Sequence, residues 1–199
     1  MDFATLELHV LTWLEQKLPP NLFYHGLDHT KDVLNAVVVL GQQEQVSEQD
    51  LFKLKAAALY HDTGFIEQYR ANEPVGAQFA REQLPNWGLS VEDAEHIATM
   101  ILATKIPQEP QDHLAQILCD ADLDYLGRDD YHVIAHSLRL EWMKYGDRKD
   151  LVEWYDLQVS FLGKHQYFTA SAREHRDARK REHMEDILRL LAVRSSMGH

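Results

Sequence analysis

The sequence contains a single cysteine, Cys119, among its 199 residues, so no disulfide can form within the chain. This cysteine follows two apolar residues, and such thiols commonly pack as small core side chains rather than act as nucleophiles. The chain also lacks any uninterrupted apolar run of about 18 residues, so we expect no membrane span. Asp2 and Glu7 stand where a secretory signal would be basic and then apolar, which favours a cytoplasmic location.

Basic residues are in deficit, because 20 lysines and arginines stand against 32 aspartates and glutamates, giving a formal net charge of −12. This charge disfavours extended contact with a nucleic-acid backbone. A single nucleotide stays compatible with it, since a few phosphates need only a local basic pocket. We therefore expect a small molecule as the partner, and neither nucleic acid nor a membrane.

Proline is scarce as well, and the 6 prolines lie between apolar periodic runs, where they act as boundaries. No segment alternates apolar and polar residues for long enough to indicate a strand. Ser47 and Ser90, each followed three positions later by an aspartate, are typical helix starts. The pattern predicts an all-α, single-domain helical bundle over residues 1–199, with helices near 3–17, 27–42, 49–62, 74–84, 90–104, 111–126, 130–145, 150–166 and 171–193.

Histidines and aspartates recur in short segments that together suggest one metal site. The segments are Tyr24-His25-Gly26-Leu27-Asp28-His29, Tyr60-His61-Asp62 and Asp120-Ala121-Asp122-Leu123-Asp124. Imidazole and carboxylate groups bind divalent metals and can activate a bound water. A zinc finger is excluded by the single cysteine, and a serine hydrolase would need a Gly-x-Ser-x-Gly turn that the chain lacks.

Helical phase separates the acidic candidates near the end of the 111–126 helix. At about 100° per residue, Asp122 falls beside the apolar stripe formed by Leu114, Leu118, Ala121 and Tyr125. Asp120 and Asp124 fall on the opposite side of the helix, so we expect them to face water. Asp122 is therefore the predicted inward ligand.

Two other helices extend an apolar stripe into ionisable residues. Asp62, with His61 beside it, continues the stripe of the 49–62 helix, and His25 and His29 share one face of the first motif helix. A buried carboxylate without a partner is costly, so a cation is its natural partner.

These motifs resemble those of the HD-domain phosphohydrolases, over about residues 22–126, with the helices of 130–193 expected to pack on that core. The first segment is also similar to the Tyr-His-Asn-x-x-His-Ala-x-Asp-Val run of the cyclic-nucleotide phosphodiesterases, although Gly26 and Thr30 replace its Asn and Ala. Phe65 stands where those enzymes place a further His after the His-Asp pair. The resemblance therefore implies the simpler HD ligand set, His29, His61, Asp62 and Asp122.

The resemblance also implies roles for neighbouring side chains. His25 would protonate the leaving oxygen, as the matching histidine does in the phosphodiesterases, and Asp62 would act as general base or bridge a second ion. Lys105 would offset phosphate charge, or else complement a helix C-terminus. Glu73 either hydrogen-bonds a metal-bound water or is simply an acidic residue that the dipole of its helix stabilises in the first turn. By helical phase, His96 lies on the outward face of its helix.

The expected activity is hydrolysis of a phosphoester or phosphoanhydride in a small, nucleotide-like molecule. The mixed ligands leave Mn, Mg, Co, Ni, Fe and Zn open as the divalent metal. Two alternatives stay open at this point. One is an HD-type di-iron oxygenase, which would need further ligands such as His96, Glu73 or His25, and the other is a non-catalytic metal-binding regulatory domain.

Overall fold

The computed structural model describes the backbone of residues 2–197 and the side chains of residues 2–193. Within this part of the chain the fold is all-α, as predicted, and no strand occurs. The helices are α1 Phe3–Lys17, α2 Leu27–Gln43, α3 Glu48–Tyr60, α4 Asn72–Gln83, α5 Val91–Ala103, α6 His113–Asp122, α7 Tyr131–Lys144, α8 Leu151–Lys164 and α9 Ala170–Met197.

The helix starts follow from local capping chemistry. The hydroxyl oxygens of Ser47 and Ser90 accept hydrogen bonds from the backbone N–H groups of Asp50 and Asp93, so the predicted caps of α3 and α5 are confirmed. Asp150 begins α8 with a full capping box. Each cap satisfies a backbone donor that a helix N-terminus would otherwise leave unpaired.

Among the helices that end earlier than the periodicity predicted, α3 and α6 carry site residues at their ends. α3 stops at Tyr60, and a 3-10 turn follows at Thr63–Ile66. α6 stops at Asp122, before a second 3-10 turn at Asp124–Gly127. The apolar pattern runs on through both turns because their residues are also buried, so periodicity alone could not locate these ends.

The turn after α3 is tightened by close backbone packing. The Thr63 hydroxyl donates to the Tyr60 carbonyl at 2.7 Å, and a Cβ on Gly64 would lie 1.9 Å from the Asn72 carbonyl oxygen. Glycine is therefore required where the start of α4 crosses this turn. The crossing brings the first residues of α4 against the His61-Asp62 pair.

One hydrophobic core joins residues from α1 through α9, from Leu6 to Ile187. The C-terminal helices contribute Trp154 and Leu162 to it, and the Trp142 and Trp154 rings meet edge-on with centroids 5.4 Å apart. α9 crosses the second 3-10 turn so closely that a Cβ on Gly127 would lie 2.4 Å from the Arg176 carbonyl oxygen. In the described part of the chain, none of the helices has both the length and the apolar character that crossing a bilayer requires.

Candidate metal centre

The site forms where the ends of three helices meet. His29 lies in the first turn of α2, His61 follows the last residue of α3, and Asp122 is the last residue of α6. Asp62 comes directly after His61. Apolar faces of the same helices are buried in the core, which fixes the helix ends and therefore these four side chains.

The candidate ligand atoms lie close together around His29 and His61. His29 Nε2 lies 3.3 Å from His61 Nε2 and 3.1 Å from Asp122 Oδ1. Asp62 Oδ2 lies 3.2 Å from His61 Nε2 and 3.5 Å from His29 Nε2. The sequence predicted this set of side chains, and the structure brings all of them together.

Neighbouring groups orient the ligands for metal binding. His61 Nδ1 lies 2.8 Å from the Ala58 carbonyl oxygen, which can only accept, so Nδ1 carries the hydrogen. In the neutral imidazole Nε2 then holds the lone pair, as a ligand must. The Asn72 amide donates to Asp62 Oδ1 at 3.2 Å and leaves Oδ2 directed toward the histidines.

The charges of the site fit a divalent cation. Asp62 Oδ2 is buried and accepts no hydrogen bond of acceptable geometry within the described residues. Such an unsatisfied carboxylate oxygen is costly unless a cation or water meets it. Burial would raise the pKa of Asp62, but the charges of His61, His25 and His29 hold that pKa below its usual value.

His61 is tuned by the same carboxylates. Burial alone would lower the pKa of His61, but the negative charges of Asp62 and Asp122 outweigh it and raise that pKa to about 9. A divalent ion would replace this proton at the centre of the cluster. The orphaned oxygen and the imidazole lone pair both point to metal binding at this place.

His25 does not join the ligand cluster but has a carboxylate of its own. Its Nδ1 lies 2.5 Å from Glu141 Oε1, and Glu141 also accepts from the backbone N–H groups of Tyr24 and His25 at 2.8 and 3.0 Å. The Tyr69 hydroxyl donates to the same carboxylate at 3.0 Å. The His25 ring stacks on Phe65, with centroids 4.4 Å apart.

This partner decides the charge of His25. Burial lowers the pKa of His25, but the hydrogen bond to Glu141 and the charges of Asp62, Glu141 and Asp122 raise it above its ordinary value of 6.5. Glu141 is fully buried, and its pKa is lowered although burial opposes this, because His25 and the two backbone N–H groups stabilise the carboxylate. The pair therefore favours the protonated form of His25 and the charged form of Glu141.

The family model for the HD domain matches residues 26–124, which contain all four candidate ligands. The chain belongs to the HD-domain superfamily. No curated protein sequence matches it significantly.

Two solved structures resemble this HD protein over almost its whole length. A predicted HD superfamily hydrolase from an uncultured Thermotogales bacterium is 20% identical, with a TM-score of 0.64, over 96% of this chain and 98% of its own. YpgQ from Bacillus subtilis, solved in complex with ADP, is 21% identical, with a TM-score of 0.67, over 94% of both chains. At these identities the likeness establishes a shared fold.

The predicted exposure of the two outer aspartates is wrong. Asp120 is fully buried and accepts hydrogen bonds from the Phe168 and Thr169 backbone N–H groups, both at 2.8 Å, and from the Thr169 hydroxyl at 2.7 Å. Asp124 is also buried and pairs with Arg176 at 2.6 Å. The segment before α9 covers Asp120, and α9 covers Asp124, so the side that phase assigned to water is buried at both residues.

Lys105 was expected on the inward side of its helix end, and the structure places it elsewhere. It is exposed beyond the end of α5 and lines a surface pocket with Thr99, Leu102, Ala103, Pro107, Glu109 and Gln111. None of these lining residues is a member of the ligand cluster. His96 lies 2.7 Å from Asp112 Oδ2, on the outward side as phase predicted.

Glu73 lies in the first turn of α4, next to Asn72. Its Oε2 atom is buried without a hydrogen-bond partner in the described structure, so Glu73 stays a candidate to bind a water near the site. Asn72 and Glu141 were not anticipated from the sequence. Asn72 adjoins the predicted Glu73 and could have been suspected, whereas Glu141 lies 116 residues from His25 with no local signal.

Proposed function

We propose that this HD protein is a metal-dependent phosphohydrolase acting on a phosphoester or phosphoanhydride of a small, nucleotide-like molecule. The observation that carries the proposal is the convergence of two imidazoles and two carboxylates around the unsatisfied Asp62 Oδ2 atom. His29, His61, Asp62 and Asp122 would hold the divalent ion, with Mn, Mg, Co, Ni, Fe and Zn as candidates.

The ion, when bound, would lower the pKa of a water and polarise the phosphoryl oxygen. The chain's own residues supply the proton transfers. Asn72 holds Asp62 Oδ1, which leaves Oδ2 to orient the attacking water or take its proton. Glu141 favours the protonated form of His25, from which His25 would donate to the leaving oxygen.

A cleft beside His29 is suited to receive the substrate. It has a volume of about 400 Å³ and is lined by Phe23, Tyr24, Asp28, His29, Lys31, Asp32, Asn35, Arg128, Ile134 and Ser137. Arg128 is already paired with Asp32 at 2.7 Å, so Lys31, which is exposed, is the better placed cation for a phosphate. We assign to Lys31 the role that the sequence suggested for Lys105.

The nucleotide-like character of the substrate rests on two observations. YpgQ, which shares the fold, was solved with ADP, and the cleft of this chain has room for a small anion beside the ligand cluster. A net charge of −12 makes a long anionic polymer a poor substrate.

The two alternatives are less well supported. A di-iron oxygenase would need further ligands, but His25 is engaged by Glu141 and His96 by Asp112, which leaves Glu73 alone among the three extra candidates. A purely regulatory domain would have no use for the His25–Glu141 pair beside a complete ligand set.

The test is a screen of phosphorylated compounds with the purified protein and Mn²⁺. The panel would hold nucleoside mono-, di- and triphosphates, cyclic nucleotides, and nitrophenyl phosphomono- and diesters. We expect metal-dependent release of phosphate or nucleotide, abolished in Asp122→Ala. A Lys31→Ala variant should raise KM, with Lys105→Ala as the matched exposed control that leaves KM unchanged.

Absence of hydrolysis across the panel, together with two irons per chain, would replace this proposal with the oxygenase. Equal effects of the two lysine variants would remove Lys31 from the substrate cleft.

A further inference from the structure

A second group of metal-binding side chains lies between α7 and α9, outside the centre described above. His132 comes from the first turn of α7, and His183 and Asp186 lie three residues apart on α9. One ligand atom from each of the three lies within 4.8 Å of the others. The centroids of the two imidazole rings are 5.2 Å apart.

His183 is the decisive member of this group. Only 1% of its surface is exposed, and its Nε2 lies 2.8 Å from the Arg128 carbonyl oxygen. Because a carbonyl can only accept, Nε2 carries the hydrogen and the neutral ring keeps its lone pair on Nδ1. That Nδ1 atom is buried and has no hydrogen-bond partner in the described structure.

A backbone carbonyl that fixes the tautomer of a buried histidine is the usual arrangement behind a metal ligand. An unpaired imidazole nitrogen in the interior is otherwise costly. His132 is exposed and Asp186 is partly exposed, so an ion can reach the site from solvent. Arg189 engages Asp186 through Oδ1, which leaves the second carboxylate oxygen to the ion.

We propose that His132, His183 and Asp186 form a second metal site for a divalent transition ion such as Zn²⁺. Two imidazoles and one carboxylate suit this class of ion better than Mg²⁺ or Ca²⁺, which prefer oxygen ligands. The bound ion would link α9 to α7, in addition to the contact that α9 already makes with the turn at Asp124–Gly127. It is independent of the proposed hydrolysis, since α2, α3 and α6 supply the other ligand set.

The experiment measures zinc content per chain by mass spectrometry after dialysis against Zn²⁺ and removal of free ion. Relative to the parent protein, His132→Ala and Asp186→Asn should each lose one equivalent of zinc. His175→Ala is the matched control, because His175 is an exposed histidine on α9 that bonds to its own helix at Ser171, and it should lose none. Neither His132→Ala nor Asp186→Asn should change hydrolysis.

Thermal stability gives a second readout, taken in an Asp122→Ala background that lacks the other centre. At free Zn²⁺ about 100 times the Kd, Tm should rise by roughly 5–10 °C, and His132→Ala should abolish the rise. Unchanged zinc content in both His132→Ala and Asp186→Asn would overturn the second site. An equal loss in His175→Ala would do the same, since it would show only unspecific binding to surface histidines.

Discussion

His25 differs from the metal ligands in having its own partner, the buried carboxylate of Glu141. If His25 is the leaving-group acid, His25→Ala should keep its metal while kcat falls by ~10²–10⁴, the usual range for one proton-transfer group. The fall should shrink for nitrophenolate, which needs little protonation. Metal analysis and paired rates on good and poor leaving groups test this. Loss of metal, or an equal fall on both substrates, would move His25 into the coordination shell.

Glu141 should act on the reaction only through the pKa of His25. Because the pKa of His25 is raised, its proton should be lost, and the rate on a poor leaving group should fall, at higher pH than for an ordinary histidine. Glu141→Gln weakens the hydrogen bond and removes one of the charges that raise this pKa, and the alkaline limb of the kcat profile should then move toward lower pH. Circular dichroism would confirm that the variant is folded. An alkaline limb at the same pH in both proteins would contradict this coupling.

Asp122 and Asp120 are both carboxylates of α6, yet their substitution should have different effects. Asp122→Ala should lose bound metal and nearly all hydrolysis, because Asp122 Oδ1 lies 3.1 Å from His29 Nε2. Asp120→Ala leaves buried backbone donors of Phe168 and Thr169 unpaired, and should lower stability by about 1–3 kcal/mol. Metal content and urea unfolding of both variants separate the two effects. Similar metal loss in folded Asp120→Ala would mean that α6 cannot hold Asp122 without this anchor.

At the scale of elements, the turn after α3 orients the carboxylate of Asp62. A Cβ on Gly64 would strike the backbone of Asn72, so Gly64→Ala should cost about 1–3 kcal/mol and displace the amide that holds Asp62. Gly163→Ala is the matched control, because its added Cβ would meet only Met184 Sδ at 3.6 Å and the residue lies within α8. Denaturant unfolding and metal titration should show that Gly64→Ala lowers both the free energy of unfolding and the metal affinity. Gly163→Ala should change neither. A Gly64→Ala protein as stable as its parent would contradict the requirement for glycine at this position.

The helices, and the four candidate ligands that the structure brings together, could be predicted from the sequence because both leave local signals. The starts of α3 and α5 follow from Ser47 and Ser90, and the His61-Asp62 pair follows an apolar stripe. Helical phase predicted the exposure of Asp120 wrongly because the method assumes that one face of each helix is exposed to solvent. α6 is covered on its second side by residues about fifty positions later, and no local pattern announces that contact.

Long-range partners account for the other omissions. Glu141 of α7 contacts His25 in the segment just before α2, and a single sequence does not encode this contact in any local period. Lys105 failed for a related reason, since the phase of a helix end does not extend into the exposed segment that follows it. Local signals such as helix caps were thus predicted well, whereas the partners that distant segments bring to His25 and Asp120 were not.

At the scale of the whole molecule, the proposed metal centre ties together α2, α3 and α6, which all belong to the same core. Unfolding would separate the ligands, so an ion that binds only the folded chain must stabilise it. We expect Mn²⁺ at about 100 times its Kd to add ~2.7 kcal/mol, which corresponds to a rise in Tm of roughly 5–10 °C. The measurement is thermal unfolding with and without Mn²⁺, with EDTA to reverse the effect.

The comparison is made in a His132→Ala protein, so that an ion bound between α7 and α9 does not contribute to the change in Tm. In that background, adding Asp122→Ala should remove most of the Mn²⁺-dependent rise, since it deletes the ligand from α6. His96→Ala is a suitable control, because His96 is a partly exposed histidine paired with Asp112 and should leave the rise intact. The same rise in the proteins with and without Asp122 would place the stabilising ion somewhere other than the junction of these three helices.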